Sequence, residues 1–287
     1  MATANVAELY GRLIAKRPLV QNITNTVVQQ FTANVLLAMG ASPAMVDHEA
    51  DAGHFASIAD ALLVNFGTAS NQQLMAADAA ITAAKAAGKP WVLDPVSVGV
   101  LPSRTTRIRQ ALAQRPTVVR GNASEIASLA GFGQGGRGVD STDEVDAVLR
   151  AAVHLARSTG SIVAISGARD AIVEVGDAVR IARVRGGHPL MAKVVGTGCS
   201  LGSAVAAYLG AQRVPEGAPL ASDLDATIAA HVHFALAGKI AGRKASAPGS
   251  FAVAFIDALS TLSAADWGCA EVDVETRSLA DFETTTP

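Results

Sequence analysis

The chain has 287 residues and a formal net charge of −2; half of the residues are apolar and only 17% are charged. That size and apolar content suit one large α/β domain with a well-covered core. The near-neutral charge balance gives no electrostatic case for nucleic acid or an anionic membrane surface as a partner.

Other classes drop out as quickly. Two cysteines, Cys199 and Cys269, make neither a disulfide framework nor a zinc-ligand pattern, which fits a reducing, cytoplasmic setting. No basic, apolar leader opens the chain, and no uninterrupted apolar run is long enough to cross a bilayer. Aromatics make up 4%, so the core must be built from Ala, Val, Leu and Ile. The low charge content points to subunit faces hidden in an oligomer.

In chain order, the first unusual stretch is Pro18-Leu-Val-Gln-Asn22-Ile-Thr24-Asn25-Thr26, a run of amides and hydroxyls beside an apolar helix expected over Thr26–Met39. Thr24 or Asn25 caps that helix, or these groups bind a small polar ligand. A strand over Pro43–Val46 follows, carrying Met45, whose flexible thioether lines a pocket or fills core. Strands are then expected at Ala61–Asn65, Trp91–Asp94, Thr117–Val119, Ser161–Ile165 and Ala171–Val175. Helices are expected at Gln72–Ala87, Thr105–Ala113, Ser124–Ala130 and Asp143–Ser158. The strands are continuous apolar runs, as in a parallel sheet covered on both faces. Strand alternating with helix implies right-handed βαβ units. After Val184 the pattern turns helical: Thr197–Leu209, Asp223–Ala241 and Ser250–Ser263. The tail 270–287 reads as polar and loosely held. With no internal repeat or linker, residues 1–287 form one domain.

Ligands of open parallel sheets bind at the carboxyl ends of the strands. Asp94 ends a strand before Pro95 and either holds Mg²⁺ or makes a turn. Asn122 and Glu125 have the spacing of a capping box. In a functional reading, Glu125 faces the same metal and Arg120, leaving its strand, grips phosphate oxygens. Ser166-Gly167 ends another strand, as a plain turn or as a hydroxyl for a nucleotide phosphate. Gly196-Thr197-Gly198-Cys199 opens a small-residue helix, where free N–H groups and the positive end of the dipole suit a phosphate, although glycine turns before helices are common. A thiol at such a helix start is expected to be stabilised as thiolate. His231 and His233, two apart, point in different directions on a helix and read as core or surface residues.

Together, the segments PLVQNITNTVVQQFTANVLLAMGASPAM, LLVNFGT, VLDPVSVG, RGNASEIASLAG, RGVDS, KVVGTGCSLGSAV and PGSF resemble the hydroxyethylthiazole kinase family, of the ribokinase-like superfamily. The resemblance runs from about Pro18 to Phe251. It implies a three-layer α/β sandwich around a mostly parallel sheet, and a homotrimer with active sites between subunits. It implies transfer of phosphate from ATP, with Mg²⁺, to the hydroxyl of 5-(2-hydroxyethyl)-4-methylthiazole in thiamine salvage. By the same resemblance Met45, Gly196 and Asn25 meet the thiazole, Arg120 and Ser166 meet ATP, and Asp94 and Glu125 serve the metal. Thr197, Gly198 and Cys199 form the catalytic turn, with Cys199 where related sugar kinases place an aspartate base. Two departures stand out: Ser166 where the family often has Thr, and Gly167-Ala-Arg169-Asp170 where Gly-Lys/Glu-Val-Asp is commoner. The alternatives are another kinase or the ATP-dependent dehydratase of that superfamily, a non-catalytic ligand-binding protein, or a cysteine hydrolase.

Overall fold

The computed structural model describes residues 3–132, 142–214 and 219–283. The segment Arg137–Ser141, one of the stretches carrying the resemblance, lies outside the described residues. Helix α1 (Thr3–Lys16) precedes a strand–helix series: β1 (Leu19–Ile23), α2 (Gln29–Ala38), β2 (Ser42–Ala44), α3 (Glu49–Ile58), β3 (Ala61–Asn65), α4 (Asn71–Ala86), β4 (Trp91–Asp94), α5 (Pro102–Leu112), β5 (Val118–Asn122), α6 (Ala123–Leu129), α7 (Thr142–Thr159) and β6 (Ile162–Ser166). Strands β7 (Arg169–Val175) and β8 (Val179–Arg185) come next. A 3₁₀ turn over Pro189–Lys193 leads to α8 (Thr197–Gln212), α9 (Asp223–Lys244), α10 (Pro248–Thr261) and α11 (Ala264–Gly268). The chain closes with β9 (Glu271–Arg277) and α12 (Ala280–Glu283).

Among the described residues the strands form one nine-stranded sheet in the order β2-β1-β3-β4-β5-β6-β7-β8-β9. The pairs from β2 to β6 are parallel and those from β6 to β9 antiparallel. Alternate side chains along each strand enter two cores. Leu63, Val92 and Val118 meet α1, α2, α8, α9 and α10 on one face. Leu62, Leu93 and Val119 meet α3 to α7 on the other. This is the three-layer sandwich, and it explains why the central strands read as unbroken apolar runs.

The sequence reading named no helix at α1, α3, α11 or α12 and no strand at β1, β8 or β9; three of the differences matter most. Residues Leu19–Ile23 form the strand β1, and two of its amides serve the fold rather than a ligand. Gln21 Nε2 donates to the carbonyls of Val46 and Ala52, and Asn22 Nδ2 to that of Val20. The helix after it starts at Gln29 with no side-chain cap; Thr26 instead bonds Thr68, through its N–H at 2.8 Å and its hydroxyl at 3.2 Å. The tail is not loose over its described part. Glu271–Arg277 pairs with β8 along its whole length, and Arg169 and Arg185 pair across to Asp273. Polar strands of this kind form at sheet edges, where one face and one rim stay wet.

Helix α8 is buried from Ser200 to Gln212. Its small residues let it settle close on the sheet: a Cβ added at Gly202 would lie 3.0 Å from Leu63 and 3.7 Å from Asp94 Oδ2. That approach brings the helix N-terminus over the ends of β3, β4 and β5. Behind it, His233 donates through Nε2 to the Leu259 carbonyl (2.8 Å) and accepts through Nδ1 from the Tyr208 hydroxyl (3.0 Å). Burial without a counter-charge pushes its pKa from 6.5 down to about 4.

Candidate active site

The carboxyl ends of four neighbouring strands and the start of α8 converge on one spot. Asn65 ends β3 and is paired in register with Asp94 at the end of β4; Asn122 of β5 is paired with Ser166 of β6. Arg120, buried in β5, reaches between them. Its Nε and Nη2 donate to Ser166 Oγ at 3.1 and 2.6 Å, and its Nη1 lies 3.7 Å from Asp94 Oδ2. Asn65 Nδ2 donates to Asp94 Oδ2 at 2.8 Å. Asn65 Oδ1 accepts from the Gly67 N–H (2.8 Å) and from Asn25 Nδ2 (3.3 Å), and Asn25 Nδ2 also reaches Cys199 Sγ at 3.3 Å. A chain of hydrogen bonds, closed between Asp94 and Arg120 by the ion pair, therefore links Cys199, Asn25, Asn65, Asp94, Arg120 and Ser166.

The sequence reading passed over Asn65 as a site residue. A polar residue ending an otherwise apolar strand, LLVN, was the available signal. Gly67 supports the same joint: a Cβ there would sit 2.8 Å from the Asn25 side chain.

Asp94 is wholly buried, and desolvation pushes its carboxyl pKa up to about 7; the Arg120 charge opposes this and that of Glu125 adds to it. Its Oδ1 has no hydrogen-bond partner among the described residues. A buried carboxylate oxygen left open in this way suits a hard cation or its water. Glu125 serves the fold first. It closes the capping box of α6, its Oε2 accepting from the Asn122 N–H at 2.9 Å while Asn122 Oδ1 accepts from the Glu125 N–H. Its Oε1 accepts from the Ser97 N–H at 3.2 Å, holding Ser97 at φ 64° in the loop after Asp94. Each of these oxygens keeps a second lone pair, so Asp94 and Glu125 together fit Mg²⁺ of the kind held by one or two carboxylates and completed by substrate phosphates. Among the described residues no cluster of three or more His, Cys, Asp or Glu could hold a metal unaided.

The turn before α8 has the geometry of an anion cradle. Gly196 is the N-cap at φ 102°, and no side chain caps the helix, so the first N–H groups stay open. A Cβ at Gly196 would lie 2.7 Å from Phe31, which makes glycine necessary for both space and backbone. The Thr197 hydroxyl is turned away: it donates to the Met191 carbonyl at 2.8 Å, with that of Val194 at 3.1 Å. Thr197 thus contributes backbone and not its hydroxyl. Cys199, half-buried, is a thiol and not a thiolate. Burial raises its pKa, and the nearby Asp94 charge raises it further, against weaker opposing help from Asn65, Arg120 and Asn25. Burial and the Asp94 charge thus oppose the thiolate expected from the helix dipole.

A cavity of about 720 Å³ opens beside this turn, lined in part by Arg120, Ser166, Gly167, Asp170, His188 and Gly198. Its volume suits a nucleotide-sized ligand. Cys199, Asp94 and Asn25 are not part of that lining. Met45, half-buried just beyond the edge strand β2, is also outside the lining.

Gly198 gives a direct test of the cradle. A Cβ there would meet the Arg120 guanidinium nitrogens only at 3.7 and 3.8 Å, so alanine fits the fold while filling the space between helix start and guanidinium. Gly198→Ala is expected to leave the melting temperature within about 2 °C. It should weaken binding of a phosphate-bearing substrate there by about tenfold or more, the loss of roughly one charged contact. Thermal unfolding and steady-state kinetics on the same preparation check both.

The model of the Hydroxyethylthiazole kinase family matches residues 11–265. Similar proteins include the hydroxyethylthiazole kinase of Corynebacterium glutamicum (strain R), 54% identical over 86% of this chain and 90% of that protein. That of Klebsiella pneumoniae (strain 342) is 50% identical over 89% and 95%. Among solved structures, a hydroxyethylthiazole kinase protein from Pyrococcus horikoshii OT3 superposes with a TM-score of 0.83 at 32% identity, covering 94% of this chain and 98% of that one. The pyridoxal kinase of Staphylococcus aureus with AMP-PCP and pyridoxal, at 16% identity and a TM-score of 0.59, shares the ribokinase-like fold. No helix among the described residues is long and apolar enough to cross a membrane. The chain is a kinase with a ribokinase-like fold and belongs to the hydroxyethylthiazole kinase family.

Proposed function

We propose that this chain transfers the γ-phosphoryl group of ATP to the hydroxyl of 5-(2-hydroxyethyl)-4-methylthiazole, in the salvage branch of thiamine synthesis. The observation that carries this reading is the uncapped start of α8 facing Arg120 at the mouth of a nucleotide-sized cavity. The names of the relatives supply the acceptor.

Phosphoryl transfer needs alignment and charge neutralisation more than covalent help. ATP occupies the cavity, its phosphates reaching Arg120, which Ser166 holds in place. The open N–H groups of residues 197–199 receive the γ-phosphoryl oxygens as charge shifts onto them. Asp94 and Glu125 would hold Mg²⁺, which supplies charge neutralisation on the phosphates. The thiazole lies on the Asn25, Gly196 and Met45 side, its hydroxyl directed across Cys199. Because Cys199 is a neutral thiol donated to by Asn25, it orders this joint and does not take the hydroxyl proton. In a loose transition state that proton leaves late.

Cys199→Ala is therefore expected to lower kcat by about tenfold and not to abolish it, well short of the 10²–10⁴-fold typical of losing a general base. Total loss with unchanged binding of both substrates would return the proton to Cys199. For the function itself, purified protein with Mg-ATP should release ADP on addition of the thiazole alcohol. Turnover no greater than with ATP alone would sink the assignment.

A homotrimer belongs to this reading. Met45 stands beyond an edge strand, and Val27 and Val195, which flank the thiazole side, are apolar and about two-thirds exposed. A neighbouring copy would cover them. A cytoplasmic location also belongs to it, supported by two free cysteines.

A further inference from the structure

We infer that His231 is a positioning residue for the nucleotide phosphates, acting through Asp170 on the turn that carries Ser166. The inference rests on the ATP reading above and adds to it a residue on α9 that touches no substrate.

The turn from β6 to β7 is short: Ser166 ends one strand and Arg169 begins the next. It has one task that needs accuracy, because Ser166 Oγ accepts both Arg120 hydrogen bonds. The glycine in the turn works against that accuracy. Gly167 has no side chain to pack, and a Cβ there would meet nothing closer than 3.7 Å. The turn is instead tied down by Asp170. Its Oδ1 accepts from the Gly167 N–H at 2.9 Å, and its Oδ2 lies 2.7 Å from His231 Nδ1. Asp170 lines the nucleotide cavity, while His231 is fully buried behind it.

Among the described residues no other side-chain hydrogen bond of His231 accounts for its presence. Its Nε2 is buried and unpartnered among the described residues. An imidazole buried in an alanine-rich helix with one nitrogen unsatisfied costs stability, and an apolar residue at that position would avoid the cost. What His231 adds is a donor in a fixed place behind the Asp170 carboxylate. The line then runs from His231 to Asp170, to Gly167 and Ser166, and on to Arg120. His233, two residues on, has both nitrogens paired and faces the Tyr208–Trp267 cluster, so the two histidines serve different ends.

Three variants test this in the full chain. Asparagine places its amide N–H where His231 Nδ1 stands. Glutamine carries the same amide one bond farther out, and leucine removes it. His231→Leu and His231→Gln are expected to raise KM for ATP about tenfold, with KM for the thiazole alcohol unchanged and kcat within about threefold, the size of one lost charge-assisted hydrogen bond. His231→Asn should stay within about threefold of wild type throughout. In an Asp170→Ala background, His231→Leu should have no further effect on KM for ATP. An unchanged KM for ATP in the leucine and glutamine variants would overturn the inference. So would a parallel rise of both KM values with a lowered Tm, or additive losses in the double variant. If leucine prevents folding, the asparagine–glutamine comparison decides. Wild-type protein without thiazole kinase activity would instead count against the proposed function and not against this tie.

Discussion

Asp94→Asn is expected to abolish useful turnover while making the protein more stable. Loss of the carboxylate removes the oxygen left open for the metal and changes the partner of Arg120, so kcat/KM should fall by about 10³-fold or more. The stability gain follows from burial. In the native protein this carboxyl has its pKa raised to about 7 against an ordinary 3.8, so near neutrality keeping it ionised costs the fold up to ~4 kcal/mol. Asparagine still accepts from Asn65 but leaves a new amide NH₂ without a partner, which returns about half of that. A gain of about 2 kcal/mol, or roughly 5 °C in Tm, is expected in metal-free buffer at pH 8. Active sites commonly hold such stability costs in exchange for function.

The pH dependence makes the test sharper. A group whose pKa rises on folding stabilises the fold at low pH. The Asp94 contribution is therefore complete below pH 3.8 and lost as pH rises through about 7. His233 behaves oppositely, with a folded pKa of about 4 against 6.5. Its contribution is complete above pH 6.5 and lost as pH falls through about 4, worth about 3 kcal/mol. Between about pH 4 and 6.5 the two oppose each other, so the wild type should show a nearly flat stability profile there. In Asp94→Asn only the histidine remains, and stability should fall steadily as the solution is acidified over that range. Denaturant unfolding at intervals from pH 4 to 8 checks this; parallel curves for the two proteins would refute it.

Arg120→Met should cost about 10³-fold in kcat/KM for ATP, with Arg120→Lys in between, because an ammonium restores charge but not the fork that meets Ser166 and a phosphate together. Its effect on stability should be smaller than usual. Removing one member of a buried ion pair ordinarily costs about 3–5 kcal/mol, since the partner is left charged and alone. Here the partner is Asp94, whose pKa already stands at about 7 and is held down only by Arg120 and Asn65. Without the guanidinium, Asp94 takes up a proton instead of staying charged. The cost should be about 1–2 kcal/mol at pH 6, growing as pH rises above 7. Equal losses of 3–5 kcal/mol at pH 6 and 8 would mean that Asp94 stays ionised throughout.

Local pattern carried much of this protein. The apolar runs Ala61–Asn65 and Trp91–Asp94 are β3 and β4 to the residue, because a strand buried on both faces has no alternation to blur its ends. The helices after β3 to β5 were legible as the segments between those runs, and the Asn122–Glu125 spacing was indeed a capping box. Strands β1, β8 and β9 were not legible. Leu19–Ile23 contains two amides, and the partners of one, Gln21, are the carbonyls of Val46 and Ala52, 25 and 31 residues on. Glu271–Arg277 becomes a strand only because β8 offers an unpaired rim.

By itself, then, the sequence determined the parallel α/β core, the glycine turn before α8 and the family, since periodicity, turn chemistry and motif order are local properties of the chain. Tertiary structure alone decided the state of the site. Asn65 became its central joint by lying in register with Asp94 and within reach of Asn25. The Thr197 hydroxyl was drawn off to the Met191 carbonyl, and Cys199 was held as a thiol. The physical reason is common to all three: which hydrogen bond a polar group makes, and whether it keeps its charge, depend on distance and on the depth of burial, and neither is written along the chain.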